Sequence, residues 1–375
     1  MRRLHLWVLF AVAACALANP ASAQIVPGTC DEGWLPSGAR SKMCVPISGW
    51  NRQLIVWAHG YVPDIPGVTS LDFYDVLPDG TSLPELVQAL GFGFAATSYR
   101  QNGLAIVEGV DDVRELLASF SAVFGPPLRT LMTGASEGGL VTTLVAEQSP
   151  NLVWGALAAC APIGSFGYQT RHLSDFRVLF DYFFPGVLAG SLIDVSAFDQ
   201  SLWLSGVYPD RIRASLLANP RRARELMKTA NAAFDPADFS TVIVTTLGVL
   251  EYNIPGGPDL LRKLGGSPFD NRLRWYHGSS NDLRLNLGVQ RFAADAAAVA
   301  ALRPYETSGK LAVPVVTLPT TADEIAPAAH ELLYLLKFRP SGRGRFIPLP
   351  IPRYGHCNFT RNEILASLGV LLAQQ

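Results

Sequence analysis

Six short apolar runs punctuate the chain: Leu54 to Ala58, Gly93 to Ser98, Leu128 to Thr133, Leu152 to Cys160, Val313 to Leu318 and Phe346 to Ile351. Runs of this length, bounded by turn-forming residues, read as buried strands. Between them the apolar spacing changes to three and four, the period of a helix with one buried face. Leu83 to Leu90 is one such stretch. Val110 to Phe120 is another, with Val113, Leu116, Leu117 and Phe120 on one side. Gly139 to Glu147, Ala328 to Leu336 and a segment from Arg361 extend the set, and Thr360 with Glu363 forms a capping box for the last. Strands alternating with helices predict an α/β fold, a mostly parallel sheet with helices on both faces.

The alternation breaks between Ile163 and Arg303. Phe176, Phe180, Tyr182, Phe183, Phe184, Phe198, Trp203 and Tyr208 crowd the first third of this stretch, and Ile254-Pro255-Gly256-Gly257-Pro258 breaks its second half. The pattern is largely helical, and it predicts an inserted cap whose aromatics mostly form a small core of their own. The expected division is a signal peptide over 1–23, a first core part over 24–162, the cap over 163–303 and a second core part over 304–375.

Composition narrows the class. The formal net charge of −1, with no basic stripe, speaks against a nucleic-acid partner. Arg2 and Arg3, the apolar run Leu6 to Leu17 and Ala21-Ser22-Ala23 have the layout of a cleaved signal peptide, giving a mature chain from Gln24 that is secreted or periplasmic. The apolar run is too short to span a bilayer comfortably, and no second run is long enough, so no membrane span is expected. Cys15 leaves with the signal. Cys30, Cys44, Cys160 and Cys357 remain, an even number in an oxidising compartment. Four cysteines allow three pairings. The expected one joins Cys30 to Cys44 locally and Cys160 to Cys357 across the chain, the alternative for the second pair being two free buried thiols. Cys160 and Cys357 each follow a strand candidate, so a parallel sheet brings both to its carboxyl edge. The spacings fit no zinc pattern.

The chemistry centres on Gly134-Ala135-Ser136-Glu137-Gly138, a G-x-S-x-G pentapeptide between a strand candidate and a helix candidate. That context makes a nucleophile elbow, a sharp turn that needs small neighbours, here Gly134, Gly138 and Gly139. Serine needs a base and the base an orienting acid, in the chain order serine, acid, histidine. Among six histidines, His356 lies on a short loop between the last strand candidate and the capped C-terminal helix. Asp323, in Thr321-Ala322-Asp323-Glu324-Ile325-Ala326-Pro327, follows the strand Val313 to Leu318 and is the expected acid, with Glu324 its nearest competitor and a helix N-cap its structural alternative. Two oxyanion donors are expected: the backbone N–H of Glu137, and that of Tyr61 in Trp57-Ala58-His59-Gly60-Tyr61, where Gly60 permits a tight turn. His59 reads as structural, and the side chain of Glu137 carries no assigned role.

His59-Gly60, Gly134 to Gly139, Asp323 to Pro327 and Gly355-His356, in that order, resemble the α/β-hydrolase superfamily over nearly all of the chain outside the signal and the cap. Within it the chain looks like secreted bacterial esterase and peptidase-like hydrolases. The pair His356-Cys357 is similar to the tannase and feruloyl esterase group, in which a disulfide ties the cysteine beside the histidine to one beside the serine. This chain departs from that group, because Ala135 precedes Ser136 and no calcium-loop signature is evident. The resemblance implies the triad and leaves the aromatic-ester substrate aside. The expectation is therefore a serine hydrolase acting on a small-molecule or polymer carboxylic ester without cofactor or metal. An exopeptidase or oligopeptidase with the same triad is the alternative, and a catalytically silent binding protein is a third reading, against which the intact triad argues.

Overall fold

A computed structural model describes residues 30–64, 71–77 and 79–374. The signal peptide expected over 1–23, with Cys15, lies outside the described residues. The first part of the core runs β1 (Cys30–Trp34), β2 (Arg40–Cys44), β3 (Gln53–Ala58), α1 (Leu83–Ala89), β4 (Gly93–Thr97), α2 (Ile106–Phe124), β5 (Arg129–Ala135), α3 (Glu137–Gln148) and β6 (Gly155–Ala159). A helical stretch follows: α4 (Phe166–Phe183), α5 (Ala197–Leu204), α6 (Val207–Ala218), α7 (Pro220–Ala230), α8 (Phe239–Asn253), α9 (Gly257–Leu264), α10 (Asp282–Gly288) and α11 (Ala296–Ala301). The chain returns through β7 (Lys310–Leu311), β8 (Pro314–Leu318), β9 (Thr320–Ala322), α12 (Ala329–Lys337), β10 (Arg339–Pro340), β11 (Arg345–Pro348), β12 (Ile351–Tyr354) and α13 (Arg361–Leu372).

Eight strands form one sheet in the order β1-β2-β4-β3-β5-β6-β8-β11. The six apolar runs are its parallel strands β3, β4, β5, β6, β8 and β11. The hairpin β1-β2 adds an antiparallel edge. Its first strand, Cys-Asp-Glu-Gly-Trp, is mostly exposed and carries no apolar run, which is why the sequence pattern did not show it.

Side-chain alternation gives the sheet two buried faces. Leu54, Val56, Met132, Ala156 and Val315 pack with residues of α2 and α3 in one core. Ile55, Leu131, Leu157 and Val316 pack with residues of α1 and α13 in another. The helical stretch has a third core. Phe176, Phe180, Phe183, Phe184 and Tyr208 are buried there with Leu226, Val249 and Leu250, and Ile325 joins them from the second core part. Phe198 is the exception among the expected cap aromatics, being largely exposed. No helix among the described residues is long and apolar enough to cross a membrane.

One detail of the sheet positions the chemistry. Pro319 ends β8 and Pro350 follows β11, and a proline cannot donate to a ladder. The two strands nonetheless resume as β9 and β12, which pair in parallel with Ile351 opposite Thr320 and Tyr354 opposite Ala322. The backbone N–H of Leu349 donates to Thr317 O at 2.8 Å, that of Ile351 to Pro319 O at 2.8 Å, and that of Gly355 to Ala322 O at 3.1 Å. The result is a two-stranded spur continuing past the sheet edge.

Candidate active site

Ser136 sits between the end of β5 and the start of α3, at φ 55° and ψ −122°. A non-glycine residue held in such a conformation costs about 1–3 kcal/mol and persists only when its surroundings enforce it. Here they do. The N–H of Ser136 donates to Ala159 O at 2.9 Å, and its carbonyl accepts from Gly139 at 3.0 Å and Leu140 at 3.2 Å. A side chain on Gly138 would run into the carbonyl oxygens of Ala58 and His59, and one on Gly134 into the carbonyl of Gly138. The glycines of the pentapeptide thus let the end of β3 and the start of α3 close on the serine.

Asp323 follows the end of β9 directly, and His356 comes two residues after the end of β12. The spur therefore sets acid and base side by side. His356 Nδ1 lies 2.9 Å from each carboxylate oxygen of Asp323, and His356 Nε2 lies 2.8 Å from Ser136 Oγ. The carboxylate receives the Nδ1–H, which leaves Nε2 to accept the serine proton. Burial alone would lower the His356 pKa; the charge and hydrogen bond of Asp323 outweigh it and hold the imidazole above its ordinary 6.5. Asp323 is buried, and its Oδ1 also accepts from the N–H groups of Ile325 at 2.9 Å and Ala326 at 2.8 Å. These contacts close a local turn and cap no helix, since α12 begins at Ala329 with Ala328 as its N-cap and no side-chain cap bond, so the helix N-cap alternative for Asp323 does not hold. Glu324, its competitor, directs a carboxylate oxygen into the interior without a partner.

The cysteines pair as Cys30–Cys44, directly opposite one another on β1 and β2, and as Cys160–Cys357, with Cα atoms 5.2 Å apart. The second bridge fastens the residue after β6 to the residue after His356. Among the described residues, Cys160, His356 and Cys357 form the one group with metal-ligand spacing, their ligand atoms lying within 4.8 Å of one another. The two sulfurs are bonded to each other and the imidazole is engaged on both sides, so the group offers no free ligand set.

The residues expected around the oxyanion also converge. A side chain on Gly60 would lie 3.4 Å from Ala135 O and from Ser136 Cβ, so the backbone leading into Tyr61 passes against the elbow. Glu137 opens α3, where the first N–H groups have no intrahelical partner. Its side chain, without a role in the sequence reading, acquires one. Oε1 accepts from Ala105 N at 3.0 Å and ties the loop before α2 to the elbow, while burial pushes the carboxyl up to about 8. The other buried histidines are engaged elsewhere. His59 packs 4.1 Å from the Tyr99 ring, and His172 Nε2 contacts Glu324 O at 3.3 Å. His330 Nδ1 accepts from Gly164 N at 3.1 Å, and burial lowers its pKa to about 3.

Ser136 opens into a cavity of about 80 Å³. Tyr61, Leu104, Ile106 and Glu137 line it from the first core part, Ile325 and Ala326 from the second, and Phe166, Leu173, Tyr252 and Leu260 from the helical stretch. Tyr252, on α8, was not foreseen from sequence. It sits in an ordinary helical pattern, Val249-Leu250-Glu251-Tyr252-Asn253, and nothing local marks it.

Neither a protein-family model nor a curated protein sequence matches this chain. Solved structures similar to it include a proline iminopeptidase from Mycobacterium smegmatis, 13% identical with a TM-score of 0.44, the match covering 92% of this chain and 97% of that one. A Pyrococcus furiosus esterase is 10% identical with a TM-score of 0.45, covering 92% and 91%. Likeness at this level carries nothing about activity. The fold stands on its own geometry: a mostly parallel sheet covered on both faces, a serine on a strained strand-to-helix turn, and an aspartate and a histidine following in that order after later strands. By that geometry the chain has the α/β-hydrolase fold.

Proposed function

We propose that the chain is a secreted or periplasmic serine hydrolase of carboxylic esters. The observation that carries the reading is the unbroken relay from Ser136 Oγ through the His356 imidazole to both oxygens of Asp323. Ser136 attacks the ester carbonyl as His356 Nε2 takes its proton, and Asp323 holds the imidazolium that forms. The N–H groups of Glu137 and Tyr61 receive the oxyanion. His356 then gives its proton to the departing alkoxide, leaving an acyl group on Ser136. Water, activated by the same imidazole, cleaves that intermediate. Helices α4 to α11 act as the cap over the site.

The lining of the cavity favours an ester over a peptide. A peptidase that trims chain ends needs a charge to hold the terminus, and the acidic group at this cavity, Glu137, is engaged by Ala105 and held near neutrality by burial. The size favours short acyl groups, since ~80 Å³ is about half of the ~150 Å³ apolar cavity that admits a benzene ring. p-Nitrophenyl esters of graded acyl length assayed beside aminoacyl p-nitroanilides test the proposal. Turnover is expected on acetyl to butyryl esters. Faster cleavage of the anilides moves the assignment to a peptidase, and failure of a fluorophosphonate to label Ser136 removes the nucleophile.

A further inference from the structure

Every polar side chain lining the cavity is already engaged within the protein, with two exceptions. Gln169 donates Nε2 to Ile325 O at 2.8 Å and accepts at Oε1 from His330 Nε2 at 2.9 Å. Thr170 Oγ1 donates to Gly167 O at 3.1 Å, and Glu137 holds Ala105 N. The exceptions are the phenols of Tyr61 and Tyr252. The Tyr61 hydroxyl is buried and has no partner. The Tyr252 phenol lines the cavity beside the Ser136 hydroxyl, with which it interacts. The two rings pack with centroids 5.1 Å apart, and the lack of a side chain on Gly256 leaves room for the Tyr61 hydroxyl, which a Cβ there would approach at 2.9 Å.

We propose that Tyr252, supplied by α8 of the helical stretch, is a side-chain donor to the oxyanion formed at Ser136, with Tyr61 as the positioning residue that packs against it. The proposal rests on the esterase reading above and adds to its backbone donors. In the resting site the phenol and the serine hydroxyl line the same cavity. When Ser136 Oγ bonds to the acyl carbon, the π electrons of the carbonyl move onto its oxygen a bond length away. A phenol on the wall of the same cavity can donate a hydrogen bond to that oxygen without giving up its proton. Burial pushes both phenols above their ordinary range, so each keeps its proton at any working pH. A donor of this kind, aimed at charge that develops only in the transition state, acts on kcat rather than on ground-state binding.

The test is Tyr252→Phe beside Tyr252→Ala, on a short-chain p-nitrophenyl ester. The phenylalanine variant keeps the ring and its packing and loses the donor. Its kcat is expected to fall about 10²-fold with KM within about threefold, and its affinity for an alkyl boronic acid, which mimics the tetrahedral intermediate, to fall in parallel. Tyr61→Phe is expected to cost less. A kcat for Tyr252→Phe within threefold of the parent, with loss confined to Tyr252→Ala, assigns Tyr252 to packing and overturns the proposal. Complete end-point labelling of the variant by a fluorophosphonate keeps the two readings apart. A labelled but slow Tyr252→Phe supports the donor, whereas a parent enzyme that is neither labelled nor active brings down the esterase reading itself.

Discussion

The carboxyl edge of the sheet and the helical stretch above it build the same cavity by opposite means. At the sheet edge each functional group is over-determined by its backbone. Ser136 is held at a strained φ by glycine contacts, and Asp323 and His356 ride on a paired spur of β9 and β12, with Cys160–Cys357 clamping the next residue. In the helical stretch Phe176, Phe180 and Tyr208 pack a core made mostly of the stretch's own residues, and side chains that reach the cavity, among them Phe166, Leu173, Tyr252 and Leu260, do so from the faces of ordinary helices. The difference teaches that reactivity and selectivity are built at different tolerances. The first needs groups fixed to fractions of an ångström, and the second needs only a wall of the right shape.

The sharpest way to break that division is to remove the relay. Ser136→Ala and His356→Ala are each expected to cut turnover about 10⁶-fold, and the double variant to be little worse than either, because the residues act as a unit. A Ser136→Ala enzyme retaining a tenth of parental turnover on p-nitrophenyl acetate means that the chemistry lies elsewhere. Asp323→Asn comes next, with a loss of about 10⁴-fold. It also carries a pH signature. Asp323 holds the His356 pKa above 6.5, and the imidazole must be neutral to act as base. The acid limb of kcat/KM therefore lies above pH 6.5 in the parent and moves to lower pH in Asp323→Asn. Glu324→Gln should stay within a few-fold of the parent, and the reverse ranking would hand the role to Glu324.

The helical side of the comparison should answer differently. Phe180 is fully buried in the third core, so Phe180→Ala is expected to cost about 3–5 kcal/mol in urea unfolding while the molecules still folded turn over normally. Loss of turnover without loss of stability would tie that core to the chemistry. Leu173→Ala enlarges the cavity wall and should shift preference toward longer acyl chains, with less effect on the acetyl ester. Equal change on every chain length would show that Leu173 does not face the acyl group.

The smallest effect concerns Glu137. The native state keeps its proton to about pH 8, whereas the unfolded chain releases it near the ordinary 4.5. Between those values the unfolded state binds fewer protons, so this group makes stability fall as pH rises, and its contribution levels off above pH 8. Glu137→Gln should flatten that slope between pH 5 and pH 8 in urea titrations. An unchanged slope would mean that Glu137 is ionised in the native protein.

Most of the sheet-edge side was readable from sequence because it is written in residues with few alternatives. The pentapeptide around Ser136 needs its glycines, and Asp323 and His356 follow short apolar runs that read as strands. The capping box at Thr360 fixed the start of α13, and both of its hydrogen bonds are present. Legibility failed where pattern and structure part. The polar strand β1 has no hydrophobic signature. The prolines at 319 and 350 mask the continuation of two strands, because a ladder that skips the proline nitrogen leaves no trace in an apolar run. Tyr252 was invisible for a deeper reason. Helical periodicity says which residues share a face, and it does not say what that face meets.

The relay also imposes an order on completion. The serine and the histidine stand 220 positions apart, with all of α4 to α11 between them, and the bridge at Cys160–Cys357 spans 197. On the proposed mechanism, a chain cut between residues 136 and 356 holds a nucleophile with no base. Nor can a full-length chain act before β11 has docked on β8 and its extension has paired with β9. If the relay acts as proposed, turnover is a readout of finished topology. In refolding experiments, recovery of ester cleavage should lag recovery of helical signal, marking the moment at which the two ends of the sheet's last crossover meet.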